Sequence, residues 1–66
     1  MQVIVNGETV KVEPGISVLA LLNQLALDPA RVAVELDRRI IKAPEWPKIG
    51  LSEGSTLEIV QFVGGG

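Results

Sequence analysis

The groups in this sequence best suited to chemistry lie at its C-terminal end, where Gly64, Gly65 and Gly66 follow one another. Glycine loses more backbone entropy on ordering than any other residue, so the pattern predicts a flexible arm. Such an arm lacks Cβ atoms, so it can thread a narrow channel and present the α-carboxylate of Gly66 to another protein's active site. Fully extended, residues 63–66 would span about 13–14 Å. A frayed terminus without a function is the alternative that the pattern leaves open.

Elsewhere the chain offers little catalytic chemistry. It contains no cysteine and no histidine, which excludes disulfides, thiolate metal sites, iron–sulfur clusters and the usual acid–base group at neutral pH. The acidic side chains show no pair with acid–base spacing: Asp28, Glu35, Glu45, Glu53 and Glu58. We therefore expect a protein that is not an enzyme and that binds no cofactor or metal of its own.

Net charge and hydropathy argue against two classes of partner, nucleic acids and membranes. The net charge is −2 and the isoelectric point is near 4.9, which argues against binding nucleic acid through a basic face. We interpret Arg38, Arg39 and Lys42 as a solvated turn. Apolar runs fall short of the roughly 20 residues that span a bilayer, and the N-terminus lacks the basic segment of a signal peptide. A cytoplasmic protein without nucleic-acid or membrane partners is therefore expected.

Periodicity and turn residues predict one domain over residues 1–63, followed by a tail over 64–66. Asn6-Gly7 between two β-branched runs indicates a hairpin. A helix of about ten residues begins after the N-cap Ser17 and ends at Asp28-Pro29. The predicted strands are Gln2–Val5, Glu8–Glu13, Val32–Leu36, Ile40–Ile41 and Thr56–Val63.

This β-β-α-β-β-β order suits one topology, the two-layer α+β arrangement of the β-grasp fold. In it, the opening hairpin feeds a helix that covers one face of a mixed sheet. The last strand then returns to lie parallel to the first. Trp46, between two prolines, is interpreted as a lid on the edge of the core, with an anchor for a partner as the alternative.

Strand alternation predicts an apolar patch on the face opposite the helix. Leu57 and Ile59 point to the core, so Val60 and Phe62 point away from it. If the first and last strands are neighbours, Ile4 joins these two residues. An exposed patch beside a flexible tail predicts a docking surface for a partner, with Val63 at its edge. An ordinary sheet face with scattered apolar residues is the alternative.

The whole chain resembles the bacterial thiamine-biosynthesis sulfur carriers, the ThiS family. The resemblance rests on the hairpin, the short helix, Val-Ala-Val-Glu, the Trp46 segment, Glu-Gly-Ser-Thr-Leu-Glu-Ile-Val and the terminal Phe-Val-Gly-Gly-Gly. The sequence departs from the family at Asp37-Arg38, where Asn-Gly or a similar pair is common. It departs again at Ile41-Lys42-Ala43, where a proline followed by a basic residue is common.

The resemblance implies a ubiquitin-like β-grasp fold and a specific chemistry at Gly66. An E1-like adenylyltransferase of the ThiF type would use ATP and Mg²⁺ to adenylate the Gly66 carboxylate. A sulfur donor, such as a cysteine desulfurase, would then convert it to a thiocarboxylate. A thiazole synthase of the ThiG type would take up the sulfur, and Gly64 and Gly65 would form the threading arm.

Related functions remain open on the sequence alone. A sulfur carrier for molybdopterin synthase or for tRNA thiolation would use the same chemistry with another acceptor. A ubiquitin-like modifier would join Gly66 to lysines of other proteins. A simple binding module would have an incidental tail.

Overall fold

A computed structural model of the chain describes residues 1–63, and the predicted tail over 64–66 lies outside them. The described part holds five strands, one α-helix and two short 3₁₀ helices. The 3₁₀ helices are Pro29–Arg31 and Ala43–Glu45. The main elements are β1 Gln2–Val5, β2 Glu8–Lys11, α1 Val18–Gln24, β3 Val32–Leu36, β4 Arg39–Ile41 and β5 Thr56–Gln61.

The five strands form one mixed sheet in the order β2-β1-β5-β3-β4. β1 and β5 are parallel neighbours at its centre, and the other pairs are antiparallel. Asn6 and Gly7 both have positive φ, 49° and 83°, as a tight two-residue hairpin turn requires. The predicted hairpin, the parallel central pair and the ubiquitin-like β-grasp architecture are thereby confirmed.

The core lies between α1 and one face of the sheet. The sheet supplies alternate β-branched and leucine side chains, and α1 supplies a stripe of three residues, in agreement with their spacing. Trp46 and Leu51 close one edge. The buried set is Val3, Val5, Val12, Val18, Leu21, Leu22, Val32, Val34, Trp46, Leu51, Leu57 and Ile59. Because the described chain has one α-helix, the opposite face of the sheet is left without a covering layer.

The helix is shorter than the sequence predicts. The predicted cap at Ser17 is confirmed, since its Oγ accepts the Ala20 N–H at 3.0 Å. However, α1 has seven residues and ends at Gln24, well before Asp28-Pro29. The chain leaves the helix through Ala26, whose φ of 58° lies in the left-handed region. Leu27 N–H then donates back to the Leu22 carbonyl at 3.0 Å, the bond that defines a Schellman ending.

Ala26→Gly is expected to stabilise the domain by about 0.5–1 kcal/mol. Glycine adopts the left-handed conformation of this position without the strain that a Cβ introduces. The matched control is Ala20→Gly inside α1, which is expected to destabilise by about 1 kcal/mol. Urea unfolding followed by circular dichroism measures both. A loss of stability in Ala26→Gly would contradict this account of the helix end.

Two strands end earlier than predicted, although their pairing runs on. β2 ends at Lys11 rather than Glu13, yet the Val12 N–H still donates to the Met1 carbonyl at 2.9 Å. β5 ends at Gln61 rather than Val63, and the Phe62 N–H donates to the Arg31 carbonyl at 2.7 Å. The Met1 amino group also donates to the Val12 carbonyl at 3.0 Å, so hydrogen bonding continues for one residue beyond the end of each strand.

Candidate docking surface and C-terminal strand

The C-terminal strand is held in place beyond the end of its parallel neighbour. β1 stops at Val5, but the Asn6 side chain continues the pairing. Its Nδ2 donates to the Ile59 carbonyl at 3.0 Å, and its Oδ1 accepts the Ile59 N–H at 2.7 Å. Together with the hydrogen bond from the Phe62 N–H to the Arg31 carbonyl, these bonds hold the backbone in place as far as residue 62. This anchoring fixes the point from which the chain continues towards its C-terminal glycines.

Alternation along β5 follows the prediction. Leu57 and Ile59 are buried against the helix layer, whereas Val60 is 59% exposed on the opposite face. The two residues that follow the strand are exposed as well, Phe62 at 54% and Val63 at 92%. Apolar surface therefore extends from the outer face of β5 to the start of the predicted tail.

The structure does not bring Ile4 together with this apolar surface. Ile4 lies on the outer face, but its register partner on β5 is Thr56. Val60 comes four residues later, which separates the two positions by about 13 Å along the strand. The reason is that β1 is short and parallel, so it pairs only with the beginning of β5.

A residue that the sequence analysis did not select, Ile40, lies on the same side of the sheet as Val60. Ile40 is 81% exposed on the edge strand β4. With Ala33 and Val60 it lines a shallow hollow on the outer face. We call these three residues the apolar strip. Strand alternation at Ile40 and Ile41 contained the signal, because only one of two adjacent residues can point to the core.

Acidic side chains border the apolar strip. Glu35 of β3 and Glu58 of β5 are register partners and line the same hollow. Within residues 1–63, one ion pair is shorter than 4.0 Å, and it joins Arg31 to Asp28. The lysine and arginine nitrogens of these residues therefore all lie more than 4.0 Å from the Glu35 and Glu58 carboxylates. The outer face thus combines exposed aliphatic side chains with two carboxylates that form no ion pair within 4.0 Å, beside a hollow that Arg38 lines with both of them.

The remaining predicted site residues, Gly64, Gly65 and Gly66, lie outside the described part of the chain. Within residues 1–63, acidic side chains form no group of three that could hold a metal ion. Among residues 1–63 there is also no helix that could span a membrane. The arrangement is that of a ubiquitin-like β-grasp domain whose central last strand carries an exposed apolar surface towards its C-terminus.

Comparisons with known proteins place this domain in a family. The ThiS family model matches residues 3–66, so the chain belongs to the ThiS family. The crystal structure of thiamine biosynthesis protein ThiS from Geobacter metallireducens is similar over the full length of both chains, with 28% identity and a TM-score of 0.85. The resemblance stated from the sequence is confirmed.

Curated relatives include much longer proteins. Thiazole synthase of Paramagnetospirillum magneticum is 36% identical over all 66 residues, and that of Magnetococcus marinus is 33% identical. The chain spans about a fifth of their length, 20% in each case. The uncharacterised protein ycf40 of Pyropia yezoensis is 36% identical over 62 residues, which cover 94% of this chain and 87% of that protein.

Proposed function

We propose that this chain is a sulfur carrier for thiazole formation in thiamine biosynthesis and that the Gly66 carboxylate is its reacting group. The observation that carries the proposal is the ThiS family match, which runs from residue 3 through residue 66 and so includes the terminal glycines. The similarity to part of two thiazole synthases supports the choice of the thiazole pathway over other sulfur acceptors.

In the proposed chemistry, an E1-like adenylyltransferase of the ThiF type first activates the carboxylate. With ATP and Mg²⁺, a Gly66 carboxylate oxygen attacks the α-phosphorus, pyrophosphate leaves, and an acyl-adenylate forms. This step replaces a poor leaving group by AMP. The terminal sulfur of a persulfide, supplied by a donor such as a cysteine desulfurase, then attacks the carbonyl carbon and displaces AMP.

The resulting acyl disulfide needs one further step. A thiol of the partner attacks its S–S bond, which forms a new disulfide and leaves a thiocarboxylate on Gly66. A thiazole synthase of the ThiG type accepts that sulfur. The partners supply every reactive side chain in this sequence of steps, which agrees with a carrier that contains neither cysteine nor histidine.

The folded domain contributes recognition and placement. We propose that Val60, Phe62 and Val63 contact the partners as the tail, with Gly64 and Gly65 as its threading segment, enters their active sites. Ile4 belongs to the same face but contacts partners at a separate point, because the register places it beside Thr56. The two hydrogen bonds between the Asn6 side chain and the Ile59 backbone, one donated by each residue, hold the strand from which the tail departs.

Complementation in cells tests the choice of pathway. A bacterial strain lacking its own ThiS needs added thiamine, and we expect this chain, expressed with its cognate adenylyltransferase and thiazole synthase, to restore growth without it. The control is a strain lacking the small subunit of molybdopterin synthase, which the same plasmid is expected not to rescue. Rescue of the molybdopterin strain alone would contradict the proposed acceptor.

A further inference from the structure

We propose that the apolar strip, with Glu35 and Glu58 at its border, is a docking site for thiazole synthase and that it fits an apolar patch bordered by lysine or arginine. The inference rests on the proposed function and adds the chemistry by which the acceptor is recognised. It assigns a binding role to Ile40, a residue on the edge strand β4, outside the C-terminal strand and its tail.

The first argument is the exposure of the strip. Ile40 and Val60 leave 81% and 59% of their surface in contact with solvent. Ala33 is the register partner of Val60, and Glu35 that of Ile40, so the two large side chains lie on either side of β3. The small Ala33 side chain leaves the hollow between them. An apolar protrusion of a partner that occupies this hollow removes the Ile40 and Val60 side chains from water.

The second argument is the negative charge of Glu35 and Glu58, which indicates that the partner presents a cationic side chain. Glu35 and Glu58 face each other directly across antiparallel strands, an arrangement that destabilises a sheet when both carry the same charge. Their carboxylates form no ion pair within 4.0 Å among the described residues, which include every lysine and arginine of the chain, although Arg38 lines an adjoining hollow together with both of them. A cationic side chain of a partner, placed between them, relieves this repulsion and adds charge-assisted hydrogen bonds.

The third argument is continuity with the reacting end. Val60 belongs both to the strip and to β5, and the chain continues from it through Phe62 and Val63 towards Gly66. Six extended residues span about 20 Å. A protein docked on the strip therefore lies within reach of the Gly66 carboxyl group. In the two thiazole synthase relatives, the segment similar to this whole chain is part of the synthase polypeptide itself. This favours thiazole synthase as the protein that docks on the strip.

Two variants and one matched control test the site. Ile40→Ser removes the exposed aliphatic group, and Glu35→Gln with Glu58→Gln removes the paired charges. Glu8→Gln with Glu13→Gln makes the same change in net charge at exposed positions in and just after the edge strand β2, away from the strip. Affinity for the thiazole synthase of the same organism is measured by calorimetry at low and high salt, with unfolding temperature and sedimentation measured on each variant.

We expect Ile40→Ser to weaken binding about tenfold or more. The Glu35/Glu58 pair of substitutions is expected to weaken binding at low salt and to flatten its salt dependence, while the unfolding temperature stays equal or rises. The control is expected to bind like the original chain. This combination separates a binding role from a structural one, because stability and affinity move in opposite directions or independently.

Equal affinity of all variants, or no binding by the original chain, would overturn the inference. So would a change confined to sedimentation, which would mark the strip as a contact between copies of this chain. Thiocarboxylate formation by the unsubstituted chain reports separately on the proposed function. If that product forms and the variants still bind normally, only the docking site is wrong.

Discussion

Removal of Gly65 and Gly66 is expected to abolish sulfur transfer in a reconstituted reaction, with no detectable product above the level without the carrier. The physical reason is positional: a shortened chain ends before its carboxylate can enter a partner's active site. The core comes from residues 3–59, and Val63 is 92% exposed, so the deletion removes no described packing. The measurement is product formation with the adenylyltransferase, sulfur donor and thiazole synthase.

Two controls sharpen this prediction. The circular dichroism spectrum and the unfolding temperature of the truncated chain are expected to match those of the full chain. A chain with one alanine added after Gly66 keeps every native residue but moves the carboxylate, and we expect it to be inactive too. Normal activity of either variant would show that the terminal carboxylate of Gly66 is not the reacting group.

Trp46→Ala is expected to remove a large part of the domain's free energy of unfolding at room temperature. The Trp46 side chain is 3% exposed, and its Nε1 donates to the Ile41 carbonyl at 2.9 Å. Truncation of a buried tryptophan costs about 3–5 kcal/mol. A domain of this length has a total stability of roughly 3–10 kcal/mol. The buried position confirms that Trp46 is a lid on the core.

Trp46→Phe is the matched variant, because it keeps an aromatic ring but leaves the Ile41 carbonyl without this donor. It is expected to remain folded and to lose about 1–3 kcal/mol. Denaturant unfolding, followed by circular dichroism since the tryptophan signal is absent, measures both variants. A loss of less than about 1 kcal/mol in Trp46→Ala would contradict the assignment of Trp46 to the core.

The parts of the fold that were predictable from sequence are those with a local physical signal. Asn6-Gly7 specifies its turn because both residues tolerate positive φ, and Ser17 specifies the helix start because its hydroxyl caps a free N–H. The end of α1 was not predictable in this way. Ala26 adopts a left-handed conformation that alanine normally avoids, so the ending depends on packing of the residues that follow it.

The sequence predicts which residues of β5 point to the outer face, but it does not predict which residues of the other strands lie beside them. Period-two spacing identifies Val60 as outward-facing. Which residues of other strands lie beside Val60 depends on register, a long-range property that short patterns do not specify. The register places Ala33 opposite Val60 and Ile40 opposite Glu35. It places Ile4 beside Thr56, at the opposite end of β5 from Val60.

The most direct test of the sulfur-carrier function is intact-protein mass spectrometry of the chain with a free C-terminus. The protein is incubated with the adenylyltransferase, ATP, Mg²⁺ and a persulfide donor. We predict a mass increase equal to the replacement of one oxygen by sulfur, confined to the C-terminal peptide that contains Gly66. An unchanged mass, under conditions in which the same enzymes convert another ThiS protein, would contradict the sulfur-carrier function.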